Sequence, residues 1–254
     1  LLEPLGYKIS FLNSVLAIFS GYLINYTIPR SGDIARATIV YKYENIPLDK
    51  GLGTIVAERA IDLLCLGVLI IIGLFFNYNL ISEKLYEAST FINFKLIVLI
   101  FITAVFIFFY LLRSKNQNYS IIIKVQDFFK GIYEGFVIIF KLDNKWLFIF
   151  HSIFIWTMYV LMFYVTSLAL TELPDLSFSK MLISFILASL TIVFTPGGIG
   201  AYPLAVQISL SWFGVSAVSS LSFGWIMWTS QTLMIIIFGG LSLIILPFVN
   251  KKNN

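Results

Sequence analysis

The sequence predicts an all-α fold, a polytopic transmembrane helical bundle, on three observations. Apolar residues make up 59% of the 254 and charged residues only 12%, whereas soluble domains run near roughly 45–50% and 25%. Apolar runs approaching the roughly 20 residues a spanning helix needs recur along the chain. Basic residues gather in short clusters between those runs, as the positive-inside rule expects. Mean hydropathy is +0.93, more apolar surface than one soluble core of this length hides. The 25 Phe and 13 Tyr suit a lipid-facing surface and its interfacial belts.

Taken in order, the expected segments are Ile9–Ile28, moderately apolar; Gly51–Phe76, apolar after Ala60; Phe94–Leu112; Lys145–Leu170; two short pieces, Lys180–Thr195 and Ala201–Phe213; and the long Ala217–Val249. Residues 113–145 differ. Ile121, Ile122, Val125, Phe128, Phe129, Ile132 and Phe136 recur at helical spacing among charged positions, which predicts an amphipathic helix in the interface plane. Asn77–Asn93 and Thr171–Ser179 are expected to be external loops. Arg113–Lys145, with six basic residues, Arg30–Lys50 with four, and the C-terminus with Lys251 and Lys252 are expected on the cytoplasmic side of the cell membrane.

The two short pieces must enter and return from the same side. Sixteen residues reach about 24 Å, short for a core of about 30 Å. A re-entrant hairpin broken at Pro196-Gly197-Gly198-Ile199-Gly200 is therefore preferred to two short spans. A second break at Pro29 has the same layout: apolar segment, break, short helix, turn, long helix. The chain is thus expected to form one domain, 1–254, in which 9–76 and 180–249 are inverted repeats linked by 77–179. Paired interrupted helices in inverted copies are a transporter pattern. Helix ends at ordinary loops would leave the same marks.

Three groups of residues carry candidate chemistry. Glu58 and Asp62 share a helix face four residues apart, with Arg59 bordering it. Charges at membrane depth cost about 2.5–3.5 kcal/mol each and default to function, although a late helix start would leave them at the interface. Arg30, Gly32, Asp33 and Arg36 surround a helix start that Ser31 is expected to cap, a cradle for phosphate or an ordinary basic loop at the headgroups. Pro196, Gly197, Gly198 and Gly200 allow close backbone approach, with the amides of Ala201 and Tyr202 beyond them. Thr229–Thr232, inside the last helix, is expected to bond neighbouring helices.

One Cys and one His cannot build a metal centre or an internal disulfide, and no cofactor is expected. No nucleophile–base pair is evident, so an enzyme is not expected; an intramembrane enzyme using Glu58 or Asp62, or a non-catalytic partner of a lipid-modifying enzyme, remain the other readings. The expected partners are membrane lipids, with a second copy of the chain or a lipid-modifying enzyme as further candidates and no nucleic acid.

The run IPRSGDIARATIVYKYENIPLDKGLGTIVAERAIDLL, together with TPGGIGAYPLAVQ, resembles the lysylphosphatidylglycerol synthase transmembrane-region family over nearly the whole chain. The matching parts are Pro29, Gly32, Asp33 and Arg36; Glu58, Arg59 and Asp62; and Pro196–Gly200. The resemblance implies a flippase that moves a polar-headed lipid, here expected to be anionic or lipid-linked, between leaflets. It also implies further helices before Leu1. The aminoacyl-transferase domain fused to well-known members has no counterpart in this sequence.

Overall fold

The computed structural model describes residues 1–28, 31–91, 144–170, 173 and 176–251. The expected span Phe94–Leu112, the amphipathic stretch before Lys145, Pro29 and Arg30 lie outside the described residues, as do Lys252 and most of 171–175. Among the described residues the fold is all-helical. Eight α-helices follow one another: α1 (Phe11–Thr27), α2 (Ser31–Glu44), α3 (Leu48–Phe76), α4 (Tyr78–Phe91), α5 (Lys145–Ser167), α6 (Phe178–Phe194), α7 (Ala201–Ser211) and α8 (Ala217–Val249). α3, α5 and α8 are long and apolar enough to cross a membrane, with mean hydropathies of 2.3, 1.8 and 2.5. α6 is apolar but shorter.

Local chemistry sets the boundaries. Ser10 caps α1 by accepting from the Asn13 amide at 3.1 Å, and Ser216 caps α8 by accepting from Ser219 at 3.1 Å. Pro47 leads into α3, and the helix stops at Asn77 (φ −124°, ψ 27°) before α4 begins. Asn77–Asn93 was expected to be a loop; the structure forms a helix over most of it, because Glu83 and Lys84, although charged, and Ala88 are good helix formers.

The packing register gives each helix a direction. α1 and α2 form a tight antiparallel hairpin. Asn13 meets Glu44, and a Cβ on Gly21 would lie 2.9 Å from the Gly32 carbonyl oxygen, so only glycine permits the crossing. α3 returns antiparallel to α2, with Gly51 against Ala37 and Arg59 against Asp33. α6 and α7 make a second hairpin around a short 3₁₀ turn, Pro196–Gly198, and α8 returns along α7 with Gly224 on Pro203. Between these groups α1 runs antiparallel to α8: Asn13 meets Asn250, Phe19 stacks on Phe238 and Tyr26 meets Thr232. α3 runs antiparallel to α6: Gly73 meets Ile183 and Ile186, and Asn77 meets Ser179.

The main buried cluster lies among α5, α6, α7 and α8 around Phe163, Phe185, Val206, Leu210, Phe223 and Met227. Phe163 makes edge contacts with Phe185 and Phe223 at 5.8 and 4.9 Å between ring centres. A smaller cluster of Ala17, Val40 and Ile46 closes the base of the first hairpin beneath Leu2, Tyr7 and Ile9. The outer faces of α3, α5 and α8 carry exposed apolar side chains such as Ile71, Phe75, Phe154, Ile237 and Ile244, a surface suited to lipid.

Candidate functional site

α2 and α3 bring five charged side chains together. The Arg36 guanidinium pairs with Glu58 at 2.5 Å. Arg59 presents a fork to Asp33, donating from Nη2 to Oδ1 at 2.8 Å and from Nε to Oδ2 at 3.3 Å. Its Nη1 donates to Asp62 Oδ2 at 3.2 Å, and Trp156 of α5 donates its indole N–H to the other Asp62 oxygen at 3.2 Å. The helical repeat explains the set: Asp33 and Arg36 are three apart on α2, and Glu58, Arg59 and Asp62 line the facing side of α3.

The α2–α3 register decides which of these charges pair. Arg59 is held by Asp33 and Asp62 rather than by Glu58, which turns to Arg36 instead. Asp33 and Arg36 do not pair with each other, because each has a better-placed partner across the α2–α3 seam. Ser31 does not cap α2. It is the first residue of the helix, and its hydroxyl donates back to the carbonyls of Ile28 and Ile24 at 2.6 and 3.3 Å. Gly32 is buried against Gly21 and Asn25 in the hairpin crossing.

Two guanidiniums face three carboxylates, so the group carries a net charge of −1 when all are ionised. A bidentate Arg–carboxylate fork is both strong and directional. The side chains stay partly open, from 20% exposed for Arg36 to 55% for Arg59. Arg36 and Glu58 also line a cavity of about 260 Å³ between α1, α2 and α3, whose other walls include Ser14, Ala17, Thr54 and Ile55. The cavity is therefore mixed in character, largely aliphatic, with Ser14, Thr54 and the Arg36–Glu58 ion pair in its walls.

The second break forms a different centre. Gly197 sits at φ +57°, Gly198 at +72° and Gly200 at +70°. A Cβ on Gly197 would come within 2.7 Å of the Tyr26 ring, so glycine is needed there for conformation and for space. Trp228 of α8 donates its indole N–H to the Gly197 carbonyl at 2.7 Å. The Ala201 amide is spent on the Ile199 carbonyl at 2.8 Å and is not free for a ligand. Pro196 contributes its carbonyl to Ile199 at 3.3 Å. In the Thr229–Thr232 run, Thr232 reaches Tyr26 of α1 at 3.4 Å, while Ser230 bonds within its own helix.

Among the described residues no hydrogen bond joins Pro196, Gly197, Gly198 or Gly200 to the charged group. The two centres meet through α1. Tyr22 lies near the Tyr159 hydroxyl, close to Arg59 and Asp62, and Tyr26, one turn later, covers Gly197. Trp156, Tyr159, Tyr22 and Tyr26 were not singled out from the sequence. The available signal was that an indole or phenol in an apolar span requires a polar partner.

The comparisons with known proteins agree with the sequence resemblance. No protein with a curated description and no solved structure matches the chain. The family model described as lysylphosphatidylglycerol synthase TM region matches residues 1–240. Together with the long apolar helices, this makes the chain a multi-pass membrane protein of a family tied to lipid modification or transport, and it belongs to the lysylphosphatidylglycerol synthase transmembrane-region family.

Proposed function

We propose that the chain is a flippase-like transporter moving a polar-headed lipid between leaflets, with α1–α2 and α6–α7 acting as re-entrant hairpins of an inverted repeat. The first copy runs 17, 14 and 29 residues (α1, α2, α3), and the second runs 17, 11 and 33 (α6, α7, α8). The contact directions support inversion: if α1 and α3 point up, the antiparallel seams make α6 and α8 point down. The first helix of each copy packs on the third helix of the other, the exchange a two-fold relation produces. Arg59 and Trp228 are each the twelfth residue of their helices; Arg59 reaches back to Asp33 in the first turn of α2, and Trp228 to Gly197 in the second break. About 17 Å of α3 precedes Arg59 and about 25 Å follows it, which supports hairpin tips near mid-depth.

The observation that carries the function is the charge network on the first hairpin. A polar head crossing the bilayer loses several kcal/mol of hydration unless protein groups replace its water. Both arginines are already paired, so an anionic head must exchange with a carboxylate. Glu58 is the natural one to yield on Arg36, since that pair faces the cavity. Arg59, held on two sides, then offers the next guanidinium. The lipid tails remain in the bilayer, and the cell membrane with a cytoplasmic C-terminus is the expected setting. The reading assigns no catalytic residue.

The test is reconstitution in vesicles with a headgroup-labelled anionic lipid and an impermeant quencher. Arg36→Ala and Arg59→Ala should each slow exchange about tenfold or more while the protein stays folded. Parent-like exchange in both variants would refute this pathway.

A further inference from the structure

Two buried asparagines occupy matching places that the lipid site does not use. Asn77 ends α3, and Asn250 ends α8. They are 8% and 7% exposed. Each backbone N–H bonds the carbonyl four residues back, Gly73 at 3.1 Å and Leu246 at 3.3 Å. Each side-chain Nδ2 donates to that same carbonyl, at 3.1 and 2.9 Å. Each then reaches across to the first helix of the other hairpin. Asn77 donates to the Ser179 carbonyl at 3.1 Å. Asn250 forms a reciprocal amide pair with Asn13, both bonds 2.9 Å.

An asparagine is not needed twice merely to end a helix, and a buried amide facing lipid-depth packing costs free energy unless it is satisfied. The two residues lie at opposite ends of the bundle, because α3 and α8 run in opposite directions. Further inside each long helix is a glycine on which the other hairpin's first helix rests: Gly73, one turn before Asn77, under Ile183 and Ile186, and Gly239, about three turns before Asn250, under Leu23 and the Phe19 carbonyl. The glycines let the helices approach closely along each seam, and the asparagine bonds add a directional polar tie where each long helix ends.

We propose that Asn77 and Asn250 are paired end clasps, each locking one hairpin to the opposite copy's long helix, and that releasing one opens the bundle at that end alone. The clasps are unequal. Asn13 also donates to Glu44 at 2.6 Å, and Glu44 accepts the Ser10 amide at 3.2 Å, so the Asn250 clasp binds α1, α2 and α8 in one knot. Among the described residues, the Asn77 clasp has one bond between helices. The resting bundle is therefore tighter at the Asn250 end, the end toward which the cavity beside Arg36 extends, and it opens more readily at the Asn77 end. This inference rests on the inverted-repeat reading and gives the transporter its two gates.

The experiment reads opening directly and does not depend on transport. In a Cys65→Ser background, Ser242→Cys reports the α1–α8 seam and Ile183→Cys reports the α3–α6 seam, both buried in the parent. The full chain is reconstituted in nanodiscs, and the labelling rate with a water-soluble maleimide is measured. The parent should label faster at the Ile183→Cys reporter than at the Ser242→Cys reporter. Asn250→Ala should raise the Ser242→Cys rate about tenfold and leave the other unchanged, and Asn77→Ala should raise the Ile183→Cys rate about threefold only, given the usual worth of one or two amide bonds between membrane helices. No change in either variant, or a rise at both reporters in each, would overturn the proposal. Loss of lipid exchange with the labelling pattern intact would leave the clasps standing and count against the transport reading.

Discussion

The two hairpins share a backbone plan and differ in chemistry. Both consist of a 17-residue helix, a Pro-containing break and a shorter returning helix, followed by a long apolar helix. At the first, α2 and α3 meet through two guanidiniums and three carboxylates. At the second, α7 and α8 meet through Gly224 packed on Pro203, and Trp228 of α8 bonds the Gly197 carbonyl at the break, which lies under Tyr26. The charged seam can trade partners with a ligand, whereas the uncharged one has none to trade. In the transport proposed above, similar architecture would therefore serve unequal roles: the first hairpin would meet the head, and the second would supply a close-packed counterpart.

The largest departure from this contrast, after the arginine truncations, should come from Gly197→Ala. It forces a methyl group into the Tyr26 ring at φ +57° and should cost about 2–3 kcal/mol of stability, measured as a lower thermal midpoint in detergent. Lipid exchange per folded molecule should fall far less than with Arg59→Ala. A smaller effect is expected of Trp228→Phe, which removes the bond to the Gly197 carbonyl but keeps most of the ring's packing. It should cost about 1 kcal/mol, and exchange should stay within about twofold of the parent. If Trp228→Phe slowed exchange as much as Arg59→Ala, the two seams would not differ in role.

Helix positions were legible because apolar runs punctuated by Pro and Gly are long-range signals readable one segment at a time. Ala217–Val249 was expected at those bounds, and α1, α3, α5 and α6 begin or end within three residues of expectation. The helix over Tyr78–Phe91 was hidden, because hydropathy alone cannot separate a polar helix from a loop. The charged residues themselves stood out, since charge in an apolar chain is conspicuous. Their pairing did not. Whether Arg59 meets Glu58 or Asp33 depends on the α2–α3 register, which Gly51 against Ala37 sets and which no local pattern encodes. The aromatic neighbours were hidden for the same reason. Trp156 reaches Asp62 across 94 positions of sequence.

The most direct test of the central claim separates an ion pair that only joins helices from one that meets a ligand. Arg36 and Glu58 touch across the α2–α3 seam without involving the other three charges. The double exchange Arg36→Glu with Glu58→Arg keeps the pair and reverses it. Thermal stability and lipid exchange would be measured for both single variants and for the double. The account predicts that the double variant regains most of the stability lost by the singles, because the Coulomb attraction is restored, while exchange remains at least about tenfold slow because the guanidinium has left α2. Recovery of both stability and exchange in the double variant would contradict it, and would make the network a helix fastener alone.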